Sequence, residues 1–223
     1  FQVPGFENAV QLEEKKNVFL TSAFKDGFFE VQDAGSQKIG EFLDVKPGMR
    51  VVDACAGAGG KTLHLAALME NKGQIIAMDI HGWKLAELKR RAKRAGAHNI
   101  ETREITDNKV IKRLHEKADR LLIDAPCSGL GVLKRNPDSK WKIDQDFIDR
   151  IRKEQETILQ DYSKIIKKGG KMVYATCSIL PSENNEQVEN FLKNNPDFKL
   201  IKEEKVMPST GFDGFYMALI ERV

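Results

Sequence analysis

Residues 51–62 read Val51-Val52-Asp53-Ala54-Cys55-Ala56-Gly57-Ala58-Gly59-Gly60-Lys61-Thr62. A short strand pattern runs into a turn of small residues, and a helical pattern opens at Lys61. Small side chains through Gly60 let the backbone turn sharply and approach a ligand closely. In an open α/β sheet such a turn lies at the carboxyl ends of the strands, where ligands bind. Glycines at 57, 59 and 60 do not make the GxGxxG of a dinucleotide site. Gly60-Lys61-Thr62 does not close a phosphate loop either, because Cys55 stands where that motif needs its first glycine. Tight helix–strand packing is the other use such a turn has.

Outward from this turn, short β-rich runs alternate with longer helical patterns. Strands are predicted at 50–53, 74–79, 100–105, 120–124, 171–176, 198–202 and 215–221. Helices are predicted near 35–42, 61–70, 83–95, 109–116, 144–166 and 183–194. Continuously apolar runs such as Leu121-Leu122-Ile123 and Met172-Val173-Tyr174 predict a parallel sheet covered on both faces. No helical pattern separates the last two strands; Pro208, Gly211 and Gly214 fill the gap. An antiparallel hairpin is expected there. The fold class is therefore α/β, a seven-stranded, mostly parallel sheet with a reversed last strand and helices on both faces. That arrangement resembles the Rossmann-like class I methyltransferases rather than the dehydrogenases. Residues 1–33 stand outside the alternation and read as an N-terminal connecting segment, with residues 34–223 as the catalytic domain.

At 223 residues the chain fits one large domain. Its 41% hydrophobic and 31% charged content is that of a soluble globular protein. The longest apolar runs are too short to span a bilayer, no leader pattern opens the chain, and a cytoplasmic, membrane-free location is expected. Because the chain opens on Phe1 rather than Met, it is expected to be a piece of something longer. A net charge of +3 is too mild to announce nucleic acid by itself. Lys84, Lys89, Arg90, Arg91, Lys93 and Arg94 crowd one predicted helix and read as a solvated face. Lys134, Arg135, Lys140 and Lys142 crowd one loop beside a cysteine motif, where phosphate contact is expected.

Three cysteines without CxxC spacing argue against a disulfide framework and against a zinc site, and no metal is expected. Asp79 ends the second strand; a carboxylate there can accept both ribose hydroxyls of a nucleoside. Asp107, after the third strand, reads equally as an acceptor for an adenine amino group or as a helix cap. Asp124-Ala125-Pro126-Cys127-Ser128-Gly129 ends the fourth strand and Ala175-Thr176-Cys177-Ser178 the fifth. In a doubly wound sheet both ends open onto the face of the glycine loop, so two thiols and a carboxylate share one cleft. One isolated cysteine would be read as core; two at adjacent strand ends, each followed by serine, point to chemistry. A free thiol is only about 3% thiolate at pH 7, so a nucleophile needs a depressed pKa, which Lys61 or the loop cations can supply.

DACAGAGGKT (53–62), DAPCSG (124–129), YATCS (174–178) and PSENNE (181–186) resemble the motifs of the Sun-domain (RsmB-like) RNA 5-methylcytosine methyltransferases. GFFEVQD (27–33) and DGFY (213–216) are similar to that family's opening and closing segments. The resemblance covers residues 25–223. It implies transfer of a methyl group from S-adenosylmethionine to carbon 5 of cytosine in RNA, ribosomal before transfer RNA. Cys177 would then be the nucleophile at carbon 6 and Cys127 the residue that assists release. Asp124 would hydrogen-bond the ring nitrogen and amino group. The implied cofactor site comprises Cys55, Ala56, Gly57, Ala58, Gly59, Gly60, Lys61, Asp79, Asp107 and Asp124. The sequence departs from the family's CAAPGGKT at Gly57 and Ala58; losing the proline frees the loop and is expected to weaken cofactor binding modestly. No obligate protein partner is implied.

Two rivals follow from the same residues. A DNA cytosine-5 methyltransferase would use the thiol of Pro126-Cys127, but Thr176-Cys177-Ser178 then has no place. A catalytically silent RNA-binding subunit could keep the fold, yet it has no need of Asp124 and two thiols.

Overall fold

In the computed structural model, which describes residues 1–6, 8–14 and 16–223, the apolar runs become one sheet. Its strands are β1 (Arg50–Asp53), β2 (Gln74–Asp79), β3 (Ile100–Glu104), β4 (Ala118–Asp124), β5 (Ile166–Thr176), β6 (Phe198–Val206) and β7 (Phe215–Arg222). They lie in the order β3-β2-β1-β4-β5-β7-β6. Strands β1 to β5 pair in parallel. Strand β7 runs antiparallel to both neighbours. The reversed last strand is therefore inserted between β5 and β6, and β6 takes the edge. The order turns about β1 and β4, whose carboxyl ends form the switch point where open α/β sheets bind ligands.

Side-chain alternation along the strands divides the core. Leu121 and Ile123 face one side with Ile76, Met78, Tyr174 and Tyr216, all fully buried. Leu122 faces the other with Val51, Ile75 and Val173. The helices are α1 (Ser22–Lys25), α2 (Ala34–Phe42), α3 (Gly60–Leu68), α4 (Gly82–Arg94), α5 (Asn108–Lys112), α6 (Gln145–Tyr162) and α7 (Asn185–Asn194). Ile39 of α2 and Leu65 of α3 cover the Leu122 side, where Leu88 of α4 packs on Ala77. Ile111 of α5, Leu159 of α6 and Phe191 of α7 cover the Leu121 side. A Leu122→Ala change would open a cavity in the central strand at a cost of about 2–5 kcal/mol.

Local chemistry trims the predicted elements. The stretch read as a helix over 144–166 is α6, a 3-10 turn Ser163–Ile165 and the start of β5; Asp144 caps α6 by accepting from the Phe147 N–H at 2.8 Å. The helix expected over 109–116 stops at Lys112. That expected from 183 begins at Asn185, because Pro181–Glu183 forms a 3-10 turn whose glutamate is buried.

The N-terminal segment touches the domain at several points. Val3, Phe6 and Ala9 make a small buried cluster against Ala34 and Phe212. Glu30 pairs with Arg91 and Arg94 of α4, and the Arg94 guanidinium lies 3.9 Å over the Phe24 ring. Part of the cation-rich helix is thus engaged by the segment rather than solvated. Among the described residues no helix is long and apolar enough to cross a membrane.

Candidate active site

The turn after β1 is built by two left-handed glycines. Gly59 (φ +88°) precedes α3, and a Cβ there would run into Leu88 of α4. Gly57 (φ +53°) faces open space, where a Cβ would meet nothing within 4 Å. Glycine adopts such a φ freely, whereas other L-residues are strained. The loop is pinned from outside: the Gly57 N–H donates to Asp79 Oδ2 at 2.8 Å, and the His81 N–H to Asp79 Oδ1 at 2.9 Å. Arg91 donates to the Ala58 carbonyl at 2.7 Å while it pairs with Glu30.

Gly57 opens onto a cavity of about 250 Å³ lined by Gln32, Ser36, Asp53, Cys55, Ala56, Gly57, Ala58, Gly60, Lys61 and Asp124. Asp53 is buried, accepts from the Thr62 hydroxyl at 2.7 Å through Oδ2, and leaves Oδ1 without a hydrogen bond. Burial pushes its carboxyl up to about 7, against the Thr62 hydrogen bond and with help from the charge of Asp124. Lys61 Nζ donates to Asp124 Oδ2 at 2.6 Å. Burial works against the ammonium, but the charge and hydrogen bond of Asp124 outweigh it and hold its pKa up. Cys55 stays a thiol, because burial and then the charge of Asp53 push it well up. Acidic walls and an unpartnered buried carboxylate oxygen suit a ligand that carries positive charge.

Beside this cavity the ends of β4 and β5 bring the remaining thiols together. Cys127 Sγ and Cys177 Sγ are 3.2 Å apart, and the Cys177 N–H points at Cys127 Sγ at 3.3 Å. The hydrogen bond from Cys127 holds the Cys177 thiol below its ordinary pKa; burial and Asp124 oppose this, and the Lys61 ammonium adds to it. Cys127 is pushed well up, first by that same bond and then by burial and the Cys177 charge. Of the pair, Cys177 is the more readily ionised and Cys127 holds its proton the more tightly.

The predicted residues fall into groups. Cys55, Ala56, Gly57, Ala58, Gly60, Lys61 and Asp124 line the cavity, and Gly59 and Asp79 shape its loop from behind. Asp107 is exposed and caps α5 by accepting from the Lys109 N–H at 2.7 Å, outside the lining. Lys134, Lys140 and Lys142 are exposed, whereas Arg135, also exposed, pairs with buried Asp213. Gln32, Ser36 and Asp53 went unpredicted; of these only Asp53, an acid ending a strand before the glycine turn, left a signal. A larger groove of about 450 Å³, lined by residues such as Asp149, Arg152 and Glu186, shares no lining residue with the cavity. Among the described residues no group of three or more His, Cys, Asp and Glu side chains could hold a metal ion.

A family model for 16S rRNA methyltransferase RsmB/F matches residues 41–220. The chain belongs to the RsmB/F family. It is 38% identical over 194 residues to a probable ribosomal RNA small subunit methyltransferase B of Bacillus subtilis (strain 168), covering 86% of this chain and 43% of that protein. To the ribosomal RNA small subunit methyltransferase B of Proteus mirabilis (strain HI4320) it is 36% identical over 218 residues, 96% of this chain and 51% of the relative. The chain thus spans about half the length of these relatives. The crystal structure of NSun6 from Pyrococcus horikoshii with SFG superposes with a TM-score of 0.84 at 29% identity, over 94% of this chain and 57% of that one. The cofactor of the RsmB/F family is S-adenosylmethionine, whose sulfonium and ammonium match the acidic cavity. In this member the second alanine of the family loop is Gly57, at a left-handed φ that glycine takes without strain.

Proposed function

We propose that the chain methylates carbon 5 of cytosine in RNA, ribosomal RNA before transfer RNA, through a covalent bond from Cys177. The observation that carries this reading is the Cys127–Cys177 contact at 3.2 Å, with the Lys61–Asp124 pair alongside. The relatives named for ribosomal RNA support the choice of substrate.

The loop from Cys55 to Lys61, with Asp53, Asp79, Asp107 and Asp124, would hold S-adenosylmethionine, which would supply the methyl group when bound. The Cys177 thiolate adds to carbon 6, and the electrons of the ring double bond make carbon 5 nucleophilic. Asp124, whose Oδ2 accepts from Lys61, would accept a hydrogen bond from the cytosine amino group and so orient the ring. Once carbon 5 carries the methyl group, its proton leaves to a base, the carbon 6–sulfur bond breaks, and Cys177 departs as thiolate.

The pair also explains how Cys127 can change role. Its proton is held first by the bond to Cys177 and, after burial, by the Cys177 charge. When Cys177 becomes a thioether both causes vanish. Cys127 then loses its proton more readily and becomes competent as the base at carbon 5. Exposed Lys134, Lys140 and Lys142, with Arg135, would contact phosphates flanking an unpaired or flipped cytosine, since stacked neighbours block both ring faces.

The test is a pair of variants incubated with RNA and S-adenosylmethionine, then run on denaturing gels. Cys177→Ala should give no covalent band; Cys127→Ala should accumulate one. The reverse pattern would transfer the nucleophile to Cys127, as a DNA-type enzyme requires. Mapping 5-methylcytosine in RNA from cells with and without the gene checks the substrate.

A further inference from the structure

Glu183 lies outside the cavity and is fully buried, and the donors to its carboxylate are all neutral groups. Its carboxylate accepts four hydrogen bonds. Oε1 takes the hydroxyls of Ser128 at 2.5 Å and Ser178 at 2.6 Å. Oε2 takes the Ser128 N–H at 2.8 Å and the Gln155 amide at 3.0 Å. Those serines directly follow the two cysteines.

We propose that Glu183 is a positioning residue for the thiol pair, a buried clamp that sets the Cys127 loop against the Cys177 loop. Both neighbours of each cysteine are tied to it or to its own neighbours. Gln155, bound to Glu183, also donates to the Pro126 carbonyl at 2.9 Å, so Cys127 is fixed from both sides. Asn184 accepts from the Thr176 hydroxyl at 2.5 Å and donates to the Ser178 carbonyl at 2.9 Å, which fixes Cys177 likewise. The Tyr174 hydroxyl holds the Glu183 carbonyl at 2.8 Å.

Stability alone is a poor reason for this arrangement. A buried carboxylate with no cation is costly, and well-packed apolar residues would join two loops as well. The charge has a local use: it lies where it adds to the forces keeping the proton on Cys127. With the proton there, Cys127 is the donor and Cys177 the acceptor, at a separation the serine hooks maintain. The serine after each cysteine thus acquires a reason, and so does the acidic residue in the Pro181–Glu186 run.

The inference deepens the two-thiol reading and rests on it, but its test needs neither RNA nor cofactor. Wild type, Glu183→Gln and Ser178→Ala are alkylated with iodoacetamide across pH, and each cysteine peptide is followed by mass spectrometry. In Glu183→Gln the Cys177 profile should move up by about one pH unit, a tenfold slower reaction near neutrality, while the Cys127 profile moves down. Ser178→Ala, which leaves the carboxylate three of its donors, should shift Cys177 the same way by a smaller factor. Cys55, which is not tied to Glu183, should not move. Unchanged Cys177 profiles, or Cys55 changing in step with Cys177, would overturn the clamp; if Glu183→Gln does not fold, Ser178→Ala decides alone. RNA adducts that map to Cys127 while the clamp shifts persist would instead sink the assignment of the nucleophile.

Discussion

Asp53 offers a perturbation whose size follows from its position. The carboxyl is buried at the end of β1 and its pKa is raised from 3.8 to about 7. That rise is worth about 4 kcal/mol. Because the folded pKa is the higher one, the folded chain binds this proton more tightly than the unfolded chain does. Stability therefore falls as pH rises through the window from about 4 to about 7, and the full penalty remains above it. At pH 5 the penalty is about 2 kcal/mol, and at pH 8.5 it is complete. Asp53→Asn cannot ionise and escapes it; whatever the misplaced amide costs is the same at both values. The stability gained by the variant should thus grow by about 2–3 kcal/mol between pH 5 and pH 8.5, or about 5–10 °C in Tm for a chain of this size.

Thermal denaturation without cofactor, followed by circular dichroism at the two pH values, reads this directly. A Tm difference between variant and wild type that is the same at pH 5 and pH 8.5 would refute the reasoning. The same substitution should weaken S-adenosylmethionine binding by about 1–3 kcal/mol, since it removes a charge that faces a cationic ligand. Binding to wild type at pH 7 should release a fraction of a proton, visible as buffer-dependent heat in calorimetry. A residue that destabilises the free protein and favours the bound one is what a binding site exchanging stability for function looks like.

Further expectations are smaller in scope. Asp79→Ala should weaken S-adenosylmethionine binding by about 1.5–3 kcal/mol in calorimetry, because the Gly57 and His81 N–H groups lose their acceptor along with any ligand hydroxyl. Lys61→Met should move the pH midpoint of single-turnover methylation upward, since one of the charges that lower Cys177 is gone. Neutralising Lys134, Lys140 and Lys142 together should reduce RNA affinity and flatten its log–log salt slope by about 2 for single strands. Arg135→Ala should also lower Tm, because it strips the buried Asp213 of its ion-pair partner.

What could be read in advance was set by short spacing. The strand ends at Asp53, Asp79, Asp124 and Thr176 follow from apolar runs stopped by polar residues, and the glycine turn follows from its own composition. Parallel order then brings Cys127 and Cys177 to one edge, and the doubled Cys-Ser pattern marks them. What could not be read was set by partners far along the chain. The Glu30–Arg91 pair joins residues 61 apart, and nothing near either one distinguishes it from a solvated charge. The insertion of β7 between β5 and β6 is a pairing decision across the sheet; a hairpin pattern in the sequence is compatible with either strand at the edge. Asp107 was open between two uses that need the same local geometry, and the cap to Lys109 occupies one oxygen only.

Glu183 shows why the second kind of residue is the harder to see. An acidic residue in a run of serine and asparagine has the composition of a solvated turn, and only the fold brings it, 55 residues from Ser128, under both cysteine loops. Its trace in the sequence is indirect: the serines that follow Cys127 and Cys177 are donors that need an acceptor once buried. Two buried hydroxyls at equivalent strand ends each need an acceptor, and the Pro181–Glu186 run follows closely enough behind Ser178 to supply one. The same demand, applied to Thr62, points to Asp53. Each buried donor of a motif needs an acceptor, and that demand points to both carboxylates.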